Sequence, residues 1–174
     1  MNDYKRRLLL LVLLAAPSLC AGQADGYEEA MYGKYLSRVE SFGHIAVTRY
    51  HSGREKREDE GLKAWEVDEE MSNLLRQEFR TDFTNVPYES VSPREWARNP
   101  AIGHLQCQIW LHGDSWPIAY HVECMLGAGK KNRLLYDAEL GIVSKDEADK
   151  VAKAAIDRMV AKFALIFFRA RGEL

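Results

Sequence analysis

The sequence is short of the features that usually announce a chemistry. It has three cysteines and five prolines in 174 residues. No C-x-x-C, G-x-S-x-G or H-E-x-x-H occurs, so the dithiol, serine-hydrolase and zinc-peptidase signatures are missing. The run Gly127-Ala128-Gly129-Lys130-Lys131 falls short of a phosphate-binding loop, because Cys124 stands where its first glycine belongs and Lys131 where its Ser or Thr belongs. None of the five asparagines lies in an N-x-Ser/Thr sequon, and glycosylation gives no clue. Charge of one sign is also lacking, with 24 basic residues against 26 acidic ones. No apolar run reaches the ~20 residues of a comfortable membrane span.

What is present begins with Lys5-Arg6-Arg7, the apolar stretch Leu8 to Ala16, and small residues at Ser18, Ala21, Gly22 and Ala24. This is the pattern of a secretory signal peptide, assigned to residues 1–24, with 25–174 left as one domain. Cys20 follows Pro17-Ser18-Leu19 instead of the small residues of a lipid-attachment box, so the expectation is a cleaved signal without a lipid anchor and a periplasmic or secreted destination. The segment takes away three basic residues and one acidic one, leaving 21 against 25 and a formal charge of −4. Such a balance does not point to nucleic acid. Cys107 and Cys124 remain, an even count in an oxidising compartment.

Those two cysteines sit in the most informative stretch, His104 to Leu126. Leu105, Cys107, Ile109 and Leu111 alternate with His104, Gln106, Gln108, Trp110 and His112, the period of a half-buried strand. After the turn formers Gly113 to Pro117, the alternation resumes with Ile118, Tyr120, Val122, Cys124 and Leu126 on one face. Matching apolar faces requires paired numbers with an odd sum, and 231 sets Cys107 opposite Cys124. Opposed residues are close enough for a disulfide. Two packed thiols are the alternative, and the compartment favours the bond.

Elsewhere, Gly26 to Glu40 has the spacing of a short helix, His44 to His51 of a strand, and Leu62 to Val67 of either a strand or a helix lead-in. Asp68 caps an amphipathic helix over 69–83. Residues 84–103 form a connection punctuated by prolines. Arg133 to Val143 reads as a strand with Leu134, Tyr136, Ala138, Leu140 and Ile142 on its apolar face, which requires an even pairing sum near 260 with the strand before it. Ser144 and Glu147 form a capping box ahead of a helix reaching Arg169. The expected fold is α+β, an antiparallel or mixed sheet of about four strands with helices packed on one face and a long C-terminal helix. In element order the chain resembles small accessory domains of the bacterial envelope, such as the N-terminal domain of TolB and auxiliary lipoproteins of transport systems.

Two sets of candidate residues follow. The polar sheet face carries Trp110, His112 and His121, and the C-terminal helix ends in Phe167 and Phe168, apolar on every side; either surface suits contact with an envelope or secreted protein, although burial against the N-terminal helix is the simpler account of Phe167 and Phe168. The even register also puts Trp110, His121 and Glu139 in one row and Gln108, Glu123 and Asp137 in the next. His121, Glu123, Asp137 and Glu139 would then form a cluster able to bind a divalent metal or supply acid and base groups for a small hydrolase. An ordinary solvated sheet face accounts for the same residues. The sequence favours a non-enzymatic accessory protein acting through protein contacts, with no cofactor implied.

Overall fold

The computed structural model describes residues 32–51, 65–113, 117–129 and 132–174. The expected signal segment and Cys20 lie outside them. The elements are β1 (Ser41–His51), β2 (Trp65–Val67), α1 (Glu69–Asp82), the helical turn α2 (Pro93–Trp96), β3 (Ile102–His112), β4 (Ile118–Ala128), β5 (Asn132–Val143) and α3 (Ala148–Ala170). The strands form one mixed sheet in the order β2-β1-β3-β4-β5. Only β1 and β3 run parallel. The α+β architecture and the long C-terminal helix are as expected, and the additional strand is the three-residue β2 at one edge.

Helix α1 begins where Asp68 accepts the Met71 N–H at 3.0 Å, satisfying one of the donors a helix start leaves open. Its face of Met71, Ser72, Leu75 and Phe79 is buried. Ser72 fastens it to the sheet by accepting the Val47 N–H at 2.8 Å. On the same side, Arg49 donates to Asp68 at 2.8 Å and to Asp149 at 2.7 Å, tying β1 to the starts of both long helices. Ser144 and Glu147 meet side chain to side chain at 2.6 Å, and a 3₁₀ turn (Lys145–Glu147) leads into α3. The expected pair is therefore present, but it steadies the turn instead of capping the helix.

Both helices cover one face of the sheet. Ile45, Val47, Leu105, Cys107, Ile109, Val122, Cys124 and Leu126 meet Leu75, Phe79, Ala152, Ala155, Ile156, Met159 and Phe163 in one buried core. Phe42 anchors its end, with ring centroids 4.8 Å from Phe79, 5.4 Å from Phe83 and 6.1 Å from Phe167. Cys107 and Cys124 are disulfide-bonded with a Cα–Cα distance of 4.1 Å, directly opposite each other as the β3–β4 alternation requires.

The β4–β5 register differs from the sequence expectation. A bulge between Leu126 and Gly127 separates two phases, and beyond it His121 faces Leu140, Glu123 faces Ala138, Val122 faces Glu139 and Cys124 faces Asp137. Leu134 and Leu135 are both buried, each 1% exposed, which is what a one-residue phase change in a strand produces. Past that doublet the residues Tyr136, Ala138, Leu140 and Ile142 point away from the helices, while Asp137 and Glu139 point toward them. Ion pairs stabilise this phase, since Lys162 lies 3.2 Å from Asp137 and Arg158 lies 2.6 Å from Glu139.

Candidate functional site

The face of the sheet opposite the helices is where the candidate residues converge. Following the registers strand by strand, Trp65 pairs with Tyr50, Tyr50 with Trp110, Trp110 with His121 and His121 with Leu140. One row thus crosses all five strands, about 19 Å at the usual strand spacing. Its rings are in mutual contact: Tyr50 and Trp65 at 5.1 Å, Trp65 and Trp110 edge to face at 4.9 Å, and Trp110 and His121 stacked at 4.6 Å. His112 adds a ring 6.1 Å from Tyr50. Cross-strand aromatic pairs of this kind hold one another in fixed rotamers. The rings are half-buried, and Leu140 at the end of the row is 75% exposed.

Next to it runs a polar row in which Thr48 pairs with Gln108 and Gln108 with Glu123. Glu123 accepts from the Tyr136 hydroxyl at 2.9 Å. Burial, and then the hydrogen bond to that carboxylate, raise the Tyr136 pKa above its usual value.

One end of the same face is roofed by the 84–103 connection. Trp96 lies between His44, at 5.9 Å, and His104, at 4.6 Å. The connection can approach this closely because β1 has Gly43 there, where a Cβ would sit 2.5 Å from Val91 Cγ2. Burial, with His44 adding to it, depresses the His104 pKa to about 4. His44 is lowered as well, first by burial and then by Arg76. Trp96 Nε1 and His104 Nδ1 have no hydrogen-bond partner among the described residues. Trp96 thus covers the two histidines.

The predicted residues are thus partly gathered and partly dispersed. Trp110, His112 and His121 share the outer face as expected. The metal set His121, Glu123, Asp137 and Glu139 is divided, with the first two on the outer face and the last two on the helix side, because the register is odd past the bulge. Glu139 accepts from Tyr120 at 2.9 Å and from Arg158 at 2.6 Å. Burial works against its ionisation, yet those two bonds hold its pKa below the ordinary value. Among the described residues, no group of three His, Cys, Asp or Glu side chains is placed to hold a metal ion.

Phe167 is 0% exposed and packs against Phe42 and Phe83, so it presents no surface to a partner. The guanidinium of Arg171 lies 5.1 Å over its ring and donates to the Val39 carbonyl at 2.7 Å, sealing the helix end with residues 32–39. Phe168 is half-buried beside Phe83. Sequence reasoning missed Tyr50, Trp65 and Leu140 as members of the site. The signal for Leu140 was the Leu134-Leu135 doublet, while Tyr50 and Trp65 required knowing that β1 lies beside β3.

No helix among the described residues is long and apolar enough to cross a membrane. No protein-family model matches the chain, and no curated protein matches it. Among solved structures it is similar to a PelC dodecamer from Paraburkholderia phytofirmans in two forms. A leucine-to-methionine variant shares 13% identity over 72% of this chain and 88% of that one at a TM-score of 0.43. The other form shares 11% identity over 73% and 89% at 0.42. An uncharacterized protein shares 11% identity over 72% and 82% at 0.37.

Proposed function

We propose that this chain is an exported, non-enzymatic accessory protein that binds an envelope or secreted protein through the row Trp65, Tyr50, Trp110, His121 and Leu140. The observation that carries the reading is this continuous aromatic and apolar row on the sheet face that the helices leave uncovered. Tryptophan and tyrosine are the residue types that dominate binding energy at protein interfaces, because they bring large apolar area with few rotamers to freeze. The polar neighbours Gln106, Gln108 and His112 supply the hydrogen-bonding surround that such a patch needs. The basic and apolar N-terminal segment supports export, and the Cys107–Cys124 disulfide is compatible with an oxidising compartment.

The test is affinity capture from the envelope fraction of the source cell with the native protein and with Trp110→Ala in parallel. A stoichiometric partner bound by the native protein and lost at least tenfold by the variant, the ~1.4 kcal/mol or more expected of a central tryptophan, supports the reading. Equal capture by both overturns it, provided the variant melts cooperatively.

A further inference from the structure

We propose that β5 is a self-association edge, through which two copies of this chain pair antiparallel along Leu140-Gly141-Ile142 about a two-fold axis at Gly141. Strand β5 ends the sheet and is 12 residues long. Its outer part, Leu140-Gly141-Ile142, carries neither charge nor proline, with Leu140 75% exposed and Ile142 70% exposed; the charges of the strand, Asp137 and Glu139, come before it.

Two independent observations identify which backbone groups face outward. The 4.1 Å Cα–Cα distance of Cys107 and Cys124 is the short spacing of a non-hydrogen-bonded pair, so the Cys124 amide and carbonyl turn toward β5 and bond Asp137. By alternation the odd-numbered residues of β5 bond β4, and the even-numbered ones direct N–H and C=O to the open side. The Ala138 N–H agrees, being taken at 2.9 Å by the Asp137 carboxylate instead of by β4. That carboxylate closes the edge at Ala138. Among the described residues nothing closes Leu140 and Ile142 beyond it, in backbone or in side chain.

Self-pairing then favours the register that keeps both open residues of each copy within the paired strands. Setting Leu140 against Ile142 of a second copy, and Ile142 against its Leu140, uses both open residues of each strand and joins four apolar side chains. Gly141 meets Gly141 on the axis and Glu139 meets Val143. A shift of the two-fold to Leu140 pairs Ile142 with the blocked Ala138. Moving it to Glu139 opposes that carboxylate to its own copy, and moving it to Ala138 opposes Asp137 to Glu139, both of which are repulsive. In the favoured register the two carboxylates stay with their own Lys162 and Arg158. An edge that complements itself under a two-fold is what an isologous dimer requires. The pairing does not depend on the outer-face reading, although it would extend the aromatic row of one copy into the Ile142 of the next.

The experiment is sedimentation velocity over a concentration series, with residue-resolved amide exchange at each end of the series. The expected result is a twofold rise in mass with concentration, together with slowed exchange at the Leu140 and Ile142 amides. Leu140→Lys and Ile142→Lys should each hold the protein at monomer mass and melt no lower than the native protein at the dilute, monomeric end of the series, both side chains being solvent-exposed. Trp110→Ala should dimerise normally, which separates this proposal from the partner-binding one. A native protein that stays monomeric throughout overturns it. So does a dimer that survives both lysine variants, or one whose protection falls on another strand.

Discussion

The two faces of the sheet are built from the same classes of residue and used differently. On the helix side, aromatic and aliphatic side chains are driven to full burial: Phe42, Phe79, Phe83, Phe163 and Phe167 are each no more than 1% exposed. On the outer side, Trp65, Tyr50, Trp110 and His121 are half-buried, and Leu140 and Ile142 are left in water. The helix face contributes the hydrophobic burial that holds the domain together. The outer face adds little to that, because its apolar atoms stay partly hydrated. Apolar area kept where it does not fold the protein is what the proposed contact surface requires.

The contrast is sharpest in how each face should respond to truncation. Phe163→Ala removes a fully buried ring from between α3 and the sheet, and such changes cost about 3–5 kcal/mol. The same loss of ring on the outer face should cost much less, about 1 kcal/mol, comparable to one aromatic pair. Urea denaturation of Phe163→Ala beside Trp110→Ala reads the difference directly. Equal destabilisation would mean that the outer row is a second core and not a free surface.

The next effect comes from the disulfide, which lies on the helix side of β3 and β4. With its cysteines 17 residues apart, it should contribute roughly 3 kcal/mol in the chain-entropy model. Reductant, or the double change of Cys107 and Cys124 to alanine, should lower the melting temperature while the tryptophan fluorescence of the folded outer face stays native-like. A loss of that native fluorescence at temperatures where the reduced domain is still folded would show that the two faces are coupled through the hairpin.

How legible each face was follows from what holds it. Residues 104–126 could be read because both strands alternate cleanly, and a single constraint, apolar face to apolar face, fixed their register and the Cys107–Cys124 pair. For β5 the same rule misled. Its most regular apolar alternation, Leu134 to Ile142, pointed to the core, but the bulge shifts the phase after Leu134. The charged partners of Asp137 and Glu139 are on α3, some 20 residues away in sequence, and so the deciding ion pairs were invisible locally. Gly141 belongs to the same choice: on the helix side it leaves room for the Tyr120 ring, 2.8 Å from where its Cβ would stand. The parallel pairing of β1 with β3 was also out of reach, since a crossover through β2, α1 and α2 separates them, and with it went Tyr50 and Trp65.

The smallest expected effect concerns the roofed end of the outer face, where the two environments meet. His104 is 5% exposed under Trp96, and its pKa of about 4 lies below the 6.5 of an unhindered histidine. The unfolded chain therefore binds a proton between those values that the folded chain does not. Stability contributed by the neutral imidazole is complete above pH 6.5 and is lost as pH falls toward 4, by no more than about 3 kcal/mol in total. His44, lowered in the same direction, adds to the slope. The global loss should fall short of that ceiling, because α2 is a single turn and its connection can lift Trp96 away from the histidines before the core opens. Melting curves from pH 7 to pH 4 should accordingly decline in the native protein and flatten in His104→Phe, which keeps the ring under Trp96 and removes the proton. Tryptophan emission should shift in the native protein ahead of the melt, as Trp96 is hydrated. Identical slopes in the two proteins would mean that His104 takes up its proton as readily in the folded chain as in the unfolded one, and that the covered end of this face is as open to water as the rest.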